Sequence, residues 1–271
     1  MKVAMLVGGK GSRMGEATVD CPKPMLEVAG RPILWQLMQL CAAQGVSEFV
    51  LALGHKGDRI RDYFARCAVG GNDLPPEGHV LPPEYVEVAF PGETGPARRV
   101  HLVDTGIDTM TGGRLKRLKP WLKGEPHFLM TYGDVLADVD LGALERFHAA
   151  HGRLVTVVAT RVPERFGRLS LDGDMVTKFE EKPGEDRPWI NGGVFILSPA
   201  IFDYIDDDTT MWERGPLERL CAAGEVRAFR HEGFWSTLDT PADLSYLRSI
   251  SRDGYLPWES ERAEVQFANQ S

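Results

Sequence analysis

Over the first 67 residues of the chain, short continuous apolar runs alternate with segments in which apolar residues recur at helical spacing. Val3–Val7 and Glu48–Leu53 are short apolar runs that are typical of buried strands. Ile33–Ala43 and Asp58–Cys67 carry apolar residues at helical spacing, and Pro32 suits the start of the earlier helix. Because this strand–helix–strand–helix order is typical of parallel strands joined by crossover helices, it predicts an α/β fold with a parallel sheet.

The later part of the chain resumes this alternation after an irregular segment. Gly70–Pro83 contains four prolines besides its glycines and is typical of a surface excursion. Gly167–Leu197 is predicted to be mostly strand, with a turn at Leu171–Asp174. The remaining predicted elements are strands at Tyr85–Phe90, Arg99–Val103, His127–Thr131, Leu154–Ala159 and Arg227–His231, and helices at Gly113–Leu122, Leu141–His151, Trp212–Ala223 and Pro241–Ile250.

Composition narrows the class of protein. Apolar residues make up 43% and charged residues 26%, which is ordinary for a soluble globular protein and excludes disordered and fibrous classes. The net charge of −8 argues against non-specific binding of nucleic acid. No apolar run reaches the length of a membrane span, so we expect no membrane partner.

The cysteines and histidines form no metal or redox motif in the sequence. The cysteines lack CxxC spacing, so we expect reduced thiols and a cytoplasmic protein. His148 and His151 share a predicted helix face, but no third ligand is near them, so we predict surface residues. The four cysteines are Cys21, Cys41, Cys67 and Cys221.

A glycine-rich segment, Leu6–Met14, follows the first predicted strand. Its three glycines in four positions would let the backbone approach an anion and turn N–H groups toward it. Ser12 and Arg13 could add side-chain donors. The alternative is a tight strand–helix turn with an incidental arginine. The spacing matches neither a P-loop nor the dinucleotide-binding fingerprint.

A lysine between two prolines follows nine residues later. Pro22 and Pro24 stiffen the backbone around Lys23, which reduces the entropy lost when its ammonium is held at a phosphate. The alternative is a rigid surface loop. Two anion-binding elements so close in sequence favour a polyphosphate ligand.

Two aspartates follow predicted strands. Asp134 ends the apolar run that includes Thr131, and the carboxyl ends of parallel strands are where open α/β sheets bind ligands. Mg²⁺ takes one or two carboxylates together with phosphate oxygens, so Asp134 is a candidate ligand. Asp239 likewise follows a predicted strand, and it precedes Pro241 by two residues. The alternative for each aspartate is a helix N-cap.

Together these motifs resemble the signature of the sugar-phosphate nucleotidyltransferases. Within that family, Met110–Arg117 and Thr131–Asp134 resemble the glucose-1-phosphate cytidylyltransferases. The resemblance runs from about Met1 to Trp258. Further stretches that share it are Gly30–Trp35, Leu102–Gly106, Glu181–Pro183, Ile190–Gly193 and Gly233–Trp235.

The resemblance implies a Rossmann-like, mostly parallel sheet flanked by helices, with β-rich insertions and a sugar-binding part. It implies one nucleotidyltransferase domain over residues 1–258, with an insertion at about 70–99 and a polar tail over 259–271. The implied reaction transfers a cytidylyl group from CTP to α-D-glucose 1-phosphate, giving CDP-glucose and pyrophosphate, with Mg²⁺ as cofactor. The family assembles as a hexamer, which implies a homo-oligomer here.

The family's functional residues carry over where the motifs match. The catalytic set is Arg13, Lys23 and Asp134, and the metal ligands are Asp134 and Asp239. The sugar-phosphate set is Glu181, Lys182, Asn191 and Gly192. The nucleotide-binding set is Leu6, Val7, Gly8, Gly9, Lys10, Gly11, Ser12, Arg13, Lys23, Thr109, Arg114 and Gly133.

Some expectations about substrates and assembly stay open. The family has threonine at Ser12 and lysine at Cys21, so selectivity for another sugar phosphate, or for UTP or dTTP, is one alternative. A non-catalytic nucleotide-sugar sensor on the same fold is another. The basic segment Thr109–Arg117 is expected to reach a neighbouring subunit's triphosphate through Arg114, with a solvated basic face as the alternative.

Overall fold

The protein is described here from a computed structural model, which describes residues 1–68, 85–90, 96–161, 168–180, 188–251 and 256–259. The strands are β1 (Val3–Leu6), β2 (Glu27–Val28), β3 (Arg31–Pro32), β4 (Glu48–Leu53), β5 (Val86–Val88), β6 (Arg98–Asp104), β7 (Phe128–Tyr132), β8 (Val135–Ala137), β9 (Val155–Arg161), β10 (Arg168–Asp172), β11 (Met175–Glu180), β12 (Trp189–Leu197), β13 (Val226–Arg230) and β14 (Trp235–Thr237). The α-helices are α1 (Ile33–Ala42), α2 (Gly57–Cys67), α3 (Thr111–Arg117), α4 (Lys119–Leu122), α5 (Leu141–His151), α6 (Pro216–Ala222) and α7 (Pro241–Ile250).

An eight-stranded central sheet organises the described residues, with strand order β13-β9-β12-β7-β1-β4-β6-β5. The pairs β1–β4, β1–β7, β4–β6 and β9–β13 are parallel. Strand β12 runs antiparallel to both β7 and β9, and β5 runs antiparallel to β6. The predicted mostly parallel α/β sheet is therefore confirmed.

Helices cover both faces of this sheet because its strands are apolar on both sides. In β1, Val3 and Met5 pack into one hydrophobic cluster, with the core-facing residues of α1, α2 and α7. Ala4 and Leu6 point the other way, into a cluster with residues of α3, α4 and α6. With both faces covered, the carboxyl edge of the sheet is left to form a cleft.

Prolines account for two boundaries that differ from the prediction. The single helix expected at Gly113–Leu122 is instead α3 and α4, and Pro120 lies in the first turn of α4, where its missing N–H costs no hydrogen bond. The helix expected from Trp212 begins at Pro216 for the same reason. The remaining predicted helices and strands that fall on described residues have counterparts in the structure, with ends shifted by a few residues.

Several predictions fall on segments that the structure does not describe. The predicted surface excursion lies within residues 69–84, and part of the predicted insertion lies at 91–95. The predicted tail lies almost wholly within 260–271. In the described residues, the turn after Leu171 is confirmed within the β10–β11 hairpin, where Gly173 has a φ of 61°. No helix among the described residues is long and apolar enough to cross a bilayer.

His148 contradicts the prediction that it is a surface residue. Its side chain is 4% exposed, and Nδ1 lies 2.9 Å from Oγ1 of Thr156 on β9. His151 contacts the same hydroxyl at 2.7 Å, and the ring of His127 lies 5.4 Å from that of His148. The prediction failed because α5 packs this face against the sheet. These histidines form no cluster capable of holding a metal, since no such cluster exists among the described residues.

Candidate active site

A cleft of about 480 Å³ opens at the carboxyl ends of β1 and β7. Strand ends and the loops that follow them supply its walls, as expected for an open α/β sheet. It contains every residue of the predicted nucleotide-binding set, together with Asp134 and Asp239. The lining residues outside the predicted site sets are Pro24, Ile107, Asp108, Met110, Thr111 and Tyr132.

The glycine-rich loop crosses the cleft in close contact with the neighbouring strand end. A Cβ on Gly8 would overlap the guanidinium of Arg114 and lie 2.8 Å from the backbone nitrogen of Gly54. The carbonyl of Gly8 accepts a hydrogen bond from the backbone N–H of His55 at 3.1 Å. Gly11 has a φ of 63°, a conformation that glycine adopts without strain. Gly8 and Gly11 are therefore needed for the path of this loop.

Gly54 is a site residue that the sequence analysis missed. A Cβ there would also overlap the Arg114 guanidinium, so Gly8 and Gly54 make a narrow slot for it. Gly54 directly follows β4, and that position at a parallel strand end was the only signal that could have found it.

Arg114 fills this slot and is 5% exposed. Its guanidinium donates to the carbonyl of Leu53 at 2.9 Å, to the hydroxyl of Thr105 at 2.7 Å and to the carbonyl of Ile107 at 3.1 Å. Burial lowers the pKa of Arg114 from its ordinary value, with nearby Asp104 opposing that effect. These contacts hold Arg114 at the cleft of its own chain, and its burial contradicts a solvated basic face at this residue. A contact of Arg114 with a neighbouring subunit stays a prediction.

The predicted cations and carboxylates meet at one end of the cleft. The Lys23 ammonium contacts Asp134 and lies 2.8 Å from Oδ1 of Asp239. Arg13 reaches the same carboxylate, with Nη2 at 3.0 Å from Oδ1 and Nη1 at 3.3 Å from Oδ2. Lys10 lies at the exposed mouth, paired with Asp108 at 3.2 Å. Residues far apart in the sequence thus form one cluster of two cations and two carboxylates.

Burial and charge shift the pKa values of this cluster. Burial raises the pKa of the Asp134 carboxyl, and the Lys23 ammonium offsets part of that shift. For Lys23, burial lowers the pKa, but Asp134 and Asp239 outweigh it and raise the pKa above its ordinary value. Lys23 therefore remains an ammonium at neutral pH.

Asp239 is not the N-cap of a helix, which was the alternative role predicted for it. Thr240 is the N-cap of α7, and its hydroxyl accepts from the backbone N–H of Asp243. The Asp243 carboxylate in turn accepts from the backbone N–H groups of Asp239 and Thr240, at 3.1 and 2.8 Å. Because its neighbours complete the capping box, the side chain of Asp239 is available to the cleft. Asp134 caps no helix either, since it lies in the turn between β7 and β8.

Known proteins with similar sequences indicate the family to which this cleft belongs. Residues 2–244 match the family model described as Nucleotidyl transferase. The chain belongs to the nucleotidyl transferase family. The glucose-1-phosphate cytidylyltransferase of Salmonella typhi is 42% identical over 260 residues, which cover 96% of this chain and 99% of that protein. The probable glucose-1-phosphate cytidylyltransferase of Bacillus subtilis (strain 168) is 38% identical, with the same coverage.

A solved structure shows the same fold. HddC from Yersinia pseudotuberculosis, complexed with GMP-PN, superposes with a TM-score of 0.65 over 93% of this chain and 99% of that chain. The sequence identity is 23%, so this likeness concerns the fold alone. The resemblance inferred from the motifs is confirmed by the family match and by the two relatives.

In this nucleotidyl transferase, the Met110–Arg117 stretch packs closely against residues 208–212. A Cβ on Gly112 would lie 2.8 Å from the carbonyl oxygen of Thr210, and one on Gly113 would lie 2.5 Å from Cα of Asp208. Any larger residue at either position would push α3 away from this segment. The paired glycines therefore bring the start of α3, with Thr111 and Arg114, to the wall of the cleft.

The predicted sugar-phosphate residues are only partly described. Glu181 and Lys182 lie outside the described residues. Asn191 and Gly192 lie near the start of β12, which runs antiparallel to β7 and so begins at the edge where β7 ends. Oδ1 of Asn191 accepts from the backbone N–H of Gly193 at 2.8 Å, and Trp235 donates to the carbonyl of Gly192 at 2.8 Å. Neither residue lines the nucleotide cleft, so their role with the sugar remains a prediction.

Proposed function

We propose that this nucleotidyl transferase transfers a cytidylyl group from CTP to α-D-glucose 1-phosphate, giving CDP-glucose and pyrophosphate. The proposal rests on the 42% identity to the Salmonella typhi cytidylyltransferase over 96% of the chain. The cleft supports it, because the glycine-rich loop, Lys23, Asp134 and Asp239 converge there. A non-catalytic sensor would have no need of this paired set of cations and carboxylates.

Nucleotidyl transfer depends on the positioning of the two substrates more than on acid–base catalysis. An oxygen of the sugar phosphate forms a bond to the α-phosphorus of CTP. The bond between that phosphorus and the oxygen that bridges it to the β-phosphate breaks, and pyrophosphate leaves with the electron pair. The attacking oxygen is already anionic, so no general base has to remove a proton. Arg13 and Lys23 would hold the triphosphate and stabilise the negative charge that builds on the leaving group.

Asp134 and Asp239 fit a divalent cation, and we propose that they hold Mg²⁺. Carboxylate oxygens are the ligands Mg²⁺ prefers, and the pair already shares one cationic group, the Lys23 ammonium. Two carboxylates leave most of the octahedral coordination of Mg²⁺ to phosphate oxygens of the substrate and to water. When bound, the ion would neutralise phosphate charge and fix phosphate orientation.

A substrate panel tests the proposal. Pyrophosphate release is measured with CTP, UTP, dTTP and GTP, each combined with glucose 1-phosphate and with other sugar 1-phosphates, in the presence of Mg²⁺. We expect the highest kcat/KM for CTP with glucose 1-phosphate. Turnover with UTP or dTTP and none with CTP would reject the cytidylyl assignment while keeping the family. Nucleotide binding without turnover of any pair would favour a sensor.

We also propose a cytoplasmic homo-oligomer, the hexamer being the form implied by the family resemblance. None of the four cysteines, all of which lie in described parts of the chain, forms a disulfide, as is usual in a reducing compartment. Sedimentation velocity of the full chain measures the assembly, and a monomer at micromolar concentration would reject it.

A further inference from the structure

Glu213 lies behind the cleft and binds two of the side chains that line it. Its Oε1 accepts a hydrogen bond from the hydroxyl of Tyr132, and its Oε2 accepts one from the hydroxyl of Thr111 at 2.8 Å. Thr111 is fixed further, because its Oγ1 also accepts from the backbone N–H of Trp212 at 2.9 Å. Tyr132 and Thr111 line the cleft, whereas Glu213 does not.

The carboxylate of Glu213 therefore joins two walls that come from different parts of the fold. Tyr132 ends β7 and lies two residues before Asp134. Thr111 begins α3 and lies one helical turn before Arg114, which fills the slot behind the glycine-rich loop.

Glu213 is not needed to attach its own segment to α3. Arg117 forms a two-point ion pair with the carboxylate of Asp208, with Nε at 2.9 Å from Oδ1 and Nη2 at 2.5 Å from Oδ2. The Lys116 ammonium donates to the carbonyls of Ile205 and Asp206 at 2.7 and 2.8 Å. Because these contacts anchor the segment independently, loss of the Glu213 carboxylate acts mainly on Tyr132 and Thr111.

We propose that Glu213 is a positioning residue of the nucleotide cleft, which holds Tyr132 and Thr111 in place so that the cleft is preorganised for the nucleoside triphosphate. This inference rests on the proposed function. It assigns to Glu213 no contact with substrate. Its effect is to spare the incoming nucleotide the cost of ordering two side chains, so its loss weakens nucleotide affinity more than it slows the chemical step.

The test compares variants of the full chain by KM for CTP, by kcat and by melting temperature. Glu213→Ala removes both hydrogen-bond acceptors, and we expect KM for CTP to rise about tenfold while kcat stays within about threefold. Glu213→Gln should restore a KM near that of the wild type, because its amide oxygen can accept from Tyr132 and its NH₂ can donate to Thr111. Glu218→Ala is the matched control, since the Glu218 side chain caps the start of α6 by accepting from the Gly215 backbone and lies outside the cleft.

The pairing itself is tested with a double-mutant cycle. Tyr132→Phe and Thr111→Val each remove one donor and should each raise KM by themselves. Either change should add little to Glu213→Ala, because the interaction it removes is already lost. If Glu213→Ala does not fold, Glu213→Gln and the two donor variants decide the question.

The outcomes separate this inference from the proposed function. An unchanged KM in Glu213→Ala, or unchanged KM values in both donor variants, overturns the positioning role. A lower melting temperature with an unchanged KM means a purely structural residue and overturns it too. If the wild type releases no pyrophosphate with CTP, the proposed function fails, and the same comparison is made with the nucleotide it does use. A wild type that binds none of the four nucleotides by calorimetry overturns both.

Discussion

The Lys23 ammonium lies 2.8 Å from Oδ1 of Asp239, although 216 residues separate the two in the chain. The same ammonium contacts Asp134, so it joins the carboxylates from two separate loops. In the free cleft these carboxylates and the cations of Lys23 and Arg13 neutralise one another. A triphosphate would compete for the cations and a divalent metal for the carboxylates. We therefore expect nucleotide and metal to bind better together than either does alone.

Replacing Lys23 with methionine should destabilise the protein. The change roughly keeps the length of the side chain but removes the ammonium that lies between Asp134 and Asp239, and Asp239 keeps only its pair with the exposed Arg13. The loss should lower the free energy of unfolding by roughly 1–3 kcal/mol. Lys10→Met is the matched control. The side chains of its pair with Asp108 are 64% and 88% exposed, and such pairs contribute about 0–1 kcal/mol.

Urea unfolding without divalent cations measures both variants. Added Mg²⁺ should restore part of the stability of Lys23→Met, because the ion replaces the lost charge between the carboxylates. Equal losses in the two lysine variants would contradict the importance of the buried cluster.

Replacing Asp239 with asparagine should abolish most turnover while leaving the fold intact. The capping box of α7 uses Thr240 and Asp243, so the helix keeps its N-terminal hydrogen bonds. The loss of one carboxylate charge should reduce kcat/KM by about a hundredfold or more, and Asp134→Asn should do the same. Pyrophosphate release at limiting Mg²⁺ measures the effect, and rates near those of the wild type would rule out Asp239 as a metal ligand.

The sequence predicted those parts of the site that local patterns encode. The glycine-rich loop, Lys23 between two prolines, and Asp134 after a strand each have a local chemical signature, and the structure brings them into one cleft. The pairing of Asp134 with Asp239 came only from the family resemblance, because nothing in their spacing relates two residues so distant. The parallel order of the first elements was likewise readable from apolar periodicity.

The features that the sequence did not predict depend on packing between segments that are distant in the chain. The burial of Arg114 follows from a slot made by Gly8 and Gly54, which belong to different strand ends. The role of the Gly112–Gly113 pair depends on a segment almost a hundred residues further along the chain, as shown by the 2.5 Å approach to Asp208. His148 carries no apolar signature, and only the packing of α5 on β9 explains its burial. No local pattern contains these relationships.

Alanine at Gly8 should be far more costly than alanine at Gly9. A Cβ on Gly8 would overlap the Arg114 guanidinium and displace it from its three acceptors, which should lower the free energy of unfolding by about 1–3 kcal/mol. Nothing lies within 4 Å of a Cβ on Gly9, so Gly9→Ala should change stability by no more than about 0.5 kcal/mol.

Urea unfolding of the two alanine variants gives this comparison directly. Gly54→Ala, which would push against the same guanidinium, should resemble Gly8→Ala. If the Gly8 and Gly9 variants were equally stable, Arg114 would not be confined to the slot.

The burial of His148 should make the protein lose stability in mild acid. Burial, followed by the charges of His127 and His151, lowers the pKa of His148 from 6.5 to about 4. In the unfolded chain the imidazole takes up a proton near pH 6.5, whereas in the folded chain it does so only near pH 4. Protons therefore favour the unfolded state between these values, and stability that is fully present above about pH 6.5 is lost as the pH falls toward 4, by up to about 3 kcal/mol.

Replacing the imidazole with a non-titrating amide tests this origin of the acid sensitivity. His148→Gln can still hydrogen-bond to Thr156 but takes up no proton, so its free energy of unfolding should fall less steeply between about pH 7 and about pH 4.5. His151→Gln is the control from the same helix face. The pKa of His151 is also lowered, mainly by burial, but its ring is more exposed, so this variant should flatten the profile less. Urea titrations across this range measure all three proteins, and profiles of wild type and His148→Gln that run parallel would show that the acid sensitivity arises elsewhere.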